Sequence, residues 1–355
     1  MTSESNENEA VEPQATEESN APPTKPAKIK QPPVLFDQTQ AKIEKIESIL
    51  GGRMIAYWNN HRGSVCHSDV VALYELLESI GKQEKMFLFL KSDGGNGQAS
   101  LRFVNLIRQY CDELVAMVPL ECASAATMIA IGSNQIQMGP LAYLTAVDTS
   151  LTHDLSPIDR DNSRVSVSLD ELSRVVKLWR SEKTGEQNNP YSSLFEHVHP
   201  LVIGAVDRAE SLSIKICRDL LSYHVETDEK ALEIANILNS RYPSHSFPIL
   251  EKEARNIGLN VGKLDGKVNA LLLELNELYS EMGQKATTDF DETRSHSNEI
   301  INIHEASGAQ LFYQQDKDWF YRASERRWIT MNDDSGWRKA DLHDGKIRQT
   351  IMHIS

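Results

Sequence analysis

The chain has 355 residues, 40% hydrophobic and 25% charged, with a formal net charge of −14. These values suit a globular protein with room for a sizeable core. The acidic balance argues against a general binder of nucleic acid or anionic membranes, since both need a basic face. No run of about 18 apolar residues occurs, so no membrane-spanning helix is expected. The polar, acidic start gives no sign of a secretory signal peptide. Cys66, Cys111, Cys122 and Cys217 are scattered without a C-x-x-C pair. That speaks against a zinc knuckle or disulfide framework and fits a reducing cytoplasm, the expected location.

Residues 1–34 are rich in Glu, Ser, Asn, Pro and Lys and nearly free of large apolar side chains. Such a segment cannot bury enough surface to offset its ordering entropy, so a disordered tail is predicted. Its end, Pro22 to Pro33, reads as stiff, basic linker.

Residues 35–283 alternate between two periodicities. Helical spacing runs from Ser68 to Ile80, followed by an apolar strand, Met86 to Leu90, and a polar glycine turn, Ser92 to Gly97. A second helix is predicted from Ser100 to Cys111 and a second strand from Leu114 to Pro119. A turn with a small-residue helix, Glu121 to Gly132, comes next. Strand-like runs follow at Gln135 to Met138 and Ala142 to Val147. Continuous apolar strands alternating with helices imply an α/β fold with a parallel sheet covered by helices. From Ser168 to Gly283 the pattern is mostly helical, broken at 185–190 and 240–248. The amphipathic run Val268 to Met282 reads as core-facing rather than as an assembly seam.

The composition then changes. Residues 284–298 read as a flexible polar linker. Trp319, Trp328 and Trp337 fall within the last 37 residues, among aromatic and β-branched residues separated by turn-formers. Residues 299–355 are therefore predicted as a small β module of hairpins. Its Trp319, Phe320, Tyr321 and Trp328 offer either core or a face for a protein partner.

Two turns carry candidate chemistry, each at the C-terminal end of a predicted parallel strand, where ligand sites of open α/β sheets form. In Ser92-Asp93-Gly94-Gly95, adjacent glycines allow a sharp turn that leaves N–H groups open to a ligand oxygen. In Ala123-Ser124-Ala125-Ala126-Thr127, Ser124 falls at a helix start. It reads either as an N-cap or as a nucleophile beside free N–H groups. Cys122 reads as a small apolar core residue rather than a second nucleophile. His197-Val198-His199 has no further ligands close by, and no metal or other cofactor is assigned.

A strand ending in S-x-G-G, a helix, then a strand ending in A-S-A-A-T resembles the Clp protease/crotonase superfold. Gln137-Met138-Gly139-Pro140-Leu141-Ala142 and Ala146-Val147-Asp148 sharpen the likeness. So do Ser244-His245-Ser246-Phe247-Pro248-Ile249, Glu253-Ala254-Arg255 and Gly258-Leu259-Asn260-Val261. Over residues 50–262 the chain resembles the serine dehydrogenase proteinase family, relatives of signal peptide peptidase A. The resemblance implies a serine peptidase acting on peptide or protein in a homo-oligomer, with no membrane or nucleic-acid partner. It makes Ser124 the nucleophile, puts the Gly95 and Ala125 N–H groups in the oxyanion hole, and gives Gly94 a supporting role in the turn.

The sequence departs from the family pattern in places. Asp93 stands where many relatives carry proline, and is expected to point to solvent. Ala125-Ala126 replaces a more usual glycine-containing pair, which narrows the room but keeps the donors. Clp protease has a histidine in the strand after the nucleophile helix, and Leu144-Thr145-Ala146-Val147 has none. Signal peptide peptidases use a downstream lysine, and Lys177, 53 residues after Ser124, matches that arrangement. Its place off the apolar stripe Leu169, Leu172, Val176 and Trp179 also suits a solvated lysine. His153, Lys183 and His245 are alternative bases, but His245 reads rather as a structural hydrogen-bonding histidine at a turn. Asp148 either orients a base or shapes a turn. Two other functions compete: a catalytically silent scaffold, and a crotonase acting on acyl-CoA, against which stands the lack of a glutamate after the second turn.

Overall fold

The computed structural model describes residues 28–354 apart from 149, 161–162, 182–189 and 344. In chain order the elements begin α1 (Phe36–Leu50), β1 (Arg53–Asn59), α2 (His67–Ile80), β2 (Gln83–Lys91), α3 (Gly97–Ile107) and β3 (Cys111–Val118). Next come β4 (Glu121–Cys122), α4 (Ala125–Ile131), β5 (Gln135–Met138), β6 (Tyr143–Leu144), β7 (Ser150–Leu151) and β8 (Val167–Ser168). The helical stretch holds α5 (Leu169–Ser181), α6 (Pro190–His197), α7 (Pro200–Leu221), α8 (Asp228–Ser240) and α9 (Glu251–Asn256). Strand β9 (Val261–Lys263) and helix α10 (Gly266–Met282) follow. The chain ends in β10 (Ala286–Asp289), β11 (Arg294–Ala306), β12 (Ala309–Arg322), β13 (Arg327–Asp333), β14 (Gly336–His343) and β15 (Lys346–Met352).

Among the described residues one sheet of eleven strands runs β15-β14-β12-β11-β1-β2-β3-β5-β9, with β10 on β11 and β13 on β12. The half from β1 to β9 is parallel and the half from β1 to β15 is antiparallel. Both faces of the parallel half are covered, which is why β1, β2 and β3 each hold a continuous buried apolar run, Met54 to Trp58, Met86 to Leu90 and Leu114 to Val118. In β1, Ile55 and Tyr57 belong to the core cluster that includes residues of α2, α3, α4, α7 and α8, while Met54, Ala56 and Trp58 belong to the one that includes residues of α1 and α10. The α/β fold is the expected one. Helix α10 turns Val268, Leu272, Leu275, Tyr279 and Met282 into the core, as its periodicity required.

The structure differs from the sequence reading after Gly283. The expected linker is β10 and the first part of β11, and the aromatic strands extend the body's sheet instead of forming a unit apart from it. Polarity misleads here because the buried polar groups have partners in the next strand. His296 Nδ1 lies 2.9 Å from Asp318 Oδ1, Asn298 Oδ1 accepts from Gln314 Nε2 at 2.6 Å, and Trp319 Nε1 donates to Ser297 Oγ at 2.7 Å. Trp337 is 1% exposed in the core, whereas Trp328 is exposed. Residues 1–27 of the expected disordered tail lie outside the described residues. Its last part packs on the body: Lys30 N–H donates to Thr288 Oγ1 at 2.9 Å, and Pro32 is buried. Helix α3 starts earlier than its apolar pattern, at Gly97, because the Asn96 side chain caps the Ala99 N–H. The run Ala142 to Val147 is strand only at Tyr143–Leu144.

Candidate functional site

After β2 the chain makes one parallel bridge to the β4 strand, Ser92 to Cys122, and turns at Gly94 and Gly95. Both glycines have positive φ, 105° and 147°. A Cβ on Gly94 would come within 2.7 Å of the Ser124 Cβ and the Ala123 carbonyl oxygen. One on Gly95 would come within 2.5 Å of the Val65 backbone. Only glycine allows this approach. Val65 N–H donates to Gly94 O at 2.8 Å, and Asn96 N–H donates to Val65 O at 2.8 Å. Since the groups flanking Gly95 bond to Val65, the Gly95 N–H faces the other way, as the alternation along a strand requires. Gly95 also lines the cleft described below.

Ser124 stands at the N-cap position of α4 with φ 51° and ψ −117°, a strained backbone for a residue with a side chain. Its hydroxyl makes no capping hydrogen bond, which removes the ordinary reason for a serine there. Its N–H donates to Thr145 Oγ1 at 2.8 Å. Thr127 Oγ1 donates to Cys122 O at 2.9 Å and accepts the Thr145 N–H at 3.2 Å. Ala125 O accepts from Ser100 Oγ at 2.7 Å, tying α4 to α3. As the first residue of α4, Ala125 has no intrahelical acceptor for its own N–H.

The third part of the site comes from two distant segments. Leu144 and Ile249 form an antiparallel bridge, with N–H···O distances of 3.0 and 2.8 Å. Asp148 follows Leu144 by the same number of residues as His245 precedes Ile249, so the pairing brings the two face to face. His245 Nδ1 lies 2.8 Å from Asp148 Oδ1. This bond holds the imidazole pKa above its ordinary value, against the opposing effect of partial burial. Gly95, Ser124, Ala125, Asp148 and His245 all line one cleft of about 450 Å3. Its far wall is α7, which contributes Leu212, Ser213 and Ile216.

The other candidates fall elsewhere. Lys177 is exposed on α5 and is not among the residues lining the cleft, so a base within this chain's own cleft is not read from its spacing. His153 shapes a turn: its Nδ1 accepts the Leu155 N–H at 3.1 Å, and its own N–H donates to Ser156 Oγ at 2.9 Å. Lys183 lies outside the described residues. Asp93 is exposed and does not line the cleft. Cys122 is 0% exposed, and burial pushes its thiol pKa up, which makes it a poor nucleophile. His199 caps α7 by accepting the Leu201 N–H. Among the described residues, no group of three or more side chains is placed to hold a metal ion, and no helix is long and apolar enough to cross a membrane. Thr145 escaped the sequence reading. It occupies the stretch searched for a histidine, and only its contact with the Ser124 N–H marks it.

No family model matches the chain. Over 223 residues it is 22% identical to an uncharacterised protein of Methanocaldococcus jannaschii, covering 62% of this chain and 68% of that one. Among solved structures it is similar to the 1510-N membrane-bound stomatin-specific protease in two forms. A serine-to-alanine mutant matches with a TM-score of 0.37 and 16% identity, over 66% of this chain and 84% of that one. A lysine-to-alanine mutant in complex with a substrate peptide matches with a TM-score of 0.36 and 16% identity, over 65% and 79% of the two chains.

Proposed function

We propose that the protein is a serine hydrolase that cleaves peptide bonds, with Ser124 as nucleophile, His245 as general base and Asp148 as the group that orients the base. The observation that carries this reading is the Asp148–His245 pair lining the same cleft as a strained serine whose hydroxyl caps nothing. Nucleophile, base and orienting acid are the recurrent parts of such sites, recognised by geometry rather than by chain order.

In this reading Ser124 Oγ attacks the carbonyl carbon and its proton passes to His245 Nε2. Asp148 accepts from Nδ1–H, fixing the tautomer that leaves Nε2 free, and stabilises the imidazolium as it forms. The negative charge on the carbonyl oxygen meets the N–H groups of Gly95 and Ala125. Removing one such donor costs about 3–4 kcal/mol of transition-state stabilisation. His245 then protonates the leaving amine, and water enters by the reverse sequence to release the acyl group from Ser124. The base is thus a displaced histidine rather than Lys177. A peptide or protein substrate and assembly as a homo-oligomer follow from the family resemblance.

The test is covalent labelling with a fluorophosphonate probe. Wild type is expected to label. Ser124→Ala is expected not to label, and His245→Ala to label at least about 100-fold more slowly. Absence of labelling in wild type, or full labelling of Ser124→Ala, overturns the assignment.

A further inference from the structure

Gly95 is held from behind by Val65, and Val65 is itself held. The segment Ser64–Cys66 is gripped at both ends by side chains from elements far apart in sequence. Asp69 Oδ2, in the first turn of α2, accepts the Cys66 N–H at 2.6 Å. Asn302 Nδ2, on β11, donates to Ser64 O at 3.0 Å and to Asp69 Oδ1 at 2.9 Å. Tyr57 Oη and His304 Nε2 supply the other two bonds to the Asp69 carboxylate, at 2.9 and 3.0 Å. Asp69 is 0% exposed and Asn302 3%. Neither lines the cleft. The loop lies directly on β11: a Cβ on Gly63 would come within 2.3 Å of Ile301 O and 2.4 Å of Asn302 Oδ1.

We infer that Asn302, acting with Asp69, is a positioning residue that aims the Gly95 N–H into the cleft through Ser64–Cys66 and the Val65–Gly95 bridge. The inference rests on the serine-hydrolase reading. A carboxylate with four donors has a fixed orientation, and the Asn302 amide carries that orientation to the Ser64 carbonyl. Val65 is then fixed from both sides, and its two bonds to Gly94 and Asn96 leave Gly95 no freedom to rotate its N–H away. This gives the C-terminal strands a part in the site, although they contribute nothing to its lining.

An oxyanion donor acts on the transition state more than on the bound substrate, so loss of its aim lowers kcat and spares KM. The proposed base is untouched, so the pH profile keeps its midpoint. The test uses the full chain with Asn302→Ala. A second variant, Asn302→Thr, suits the strand and carries a single O–H, which cannot donate to both Asp69 and the Ser64 carbonyl. The expected result in either is a kcat about 10- to 100-fold lower with KM within about threefold. Hydrogen exchange at the Val65 and Asn96 amides should be about 10-fold faster, with exchange at Ala123, which bonds to Ser92, unchanged. Unchanged exchange at Val65 and Asn96 overturns the clamp. Faster exchange with unchanged kcat overturns its part in catalysis. A wild type that fails to label at Ser124 overturns the hydrolase reading and the catalytic part with it, while exchange still decides the clamp.

Discussion

His245 Nδ1 and Asp148 Oδ1 are 2.8 Å apart although 97 residues of chain separate them. The contact is set by how the two segments that carry these side chains are held. Val147 N–H donates to Leu238 O at 3.0 Å, and Val147 O accepts from Ser213 Oγ at 2.9 Å. The stretch that carries Asp148 is therefore pinned to α7 and α8, while the Leu144–Ile249 bridge sets its alignment with His245.

This pairing has a pH signature. In the proposed mechanism the base, His245, must be neutral, so the rate rises as pH passes upward through its pKa. The Asp148 bond raises that pKa. Wild type is therefore expected to gain activity at a higher pH than an unpaired histidine allows. Asp148→Asn removes the cause: the midpoint of kcat/KM against pH should move to lower pH, and the plateau should fall about 100-fold or more as the tautomer is lost. A midpoint that stays in place in Asp148→Asn would detach Asp148 from the base.

Lys177→Ala should leave both the plateau and the pH midpoint unchanged, because the lysine is exposed and outside the cleft. Hydrolysis assays from pH 6 to 9 check this, and a loss of activity greater than about threefold would return Lys177 to the mechanism.

Gly94→Ala tests the approach of the two turns. The new methyl would meet the Ser124 Cβ and Ala123 O, and the backbone has φ 105°. A loss of about 2 kcal/mol or more of stability is expected, together with loss of probe labelling. Denaturant unfolding and labelling measure the two effects separately.

A buried carboxylate away from the cleft makes stability depend on pH. Glu305 is fully buried and accepts from Thr39 Oγ1, Gln40 Nε2, Tyr279 Oη and Gln310 Nε2. Burial nevertheless raises its pKa from 4.5 to about 7, and the four donors only partly oppose the shift. Between those values the folded state keeps a proton that the unfolded state has lost. Stability should therefore fall as pH rises from about 4.5 to 7 and change no further above that, by about 3 kcal/mol in all. Glu305→Gln should flatten this slope. Gln310 Oε1 is buried without a partner, so a flip of that amide offers an acceptor to the introduced one. Melting temperatures of wild type and variant across this range check the prediction; parallel curves would place the slope elsewhere.

What the sequence determined by itself is local. Gly94-Gly95 and Ala123 to Thr127 declare themselves by residue type, because positive φ and close backbone approach admit few side chains. Helices α2 and α10 declare themselves by periodicity, because one face of each must be buried. The tertiary structure alone decided which of the candidate side chains line the cleft. Lys177 matched a family spacing but sits on a solvent-facing helix surface, whereas His245 reaches the cleft through a strand register that no local pattern encodes. The same reason explains β11. His296, Ser297 and Asn298 look like linker until Asp318, Trp319 and Gln314 stand beside them, since a polar residue is buried at low cost only when a partner elsewhere in the chain satisfies it.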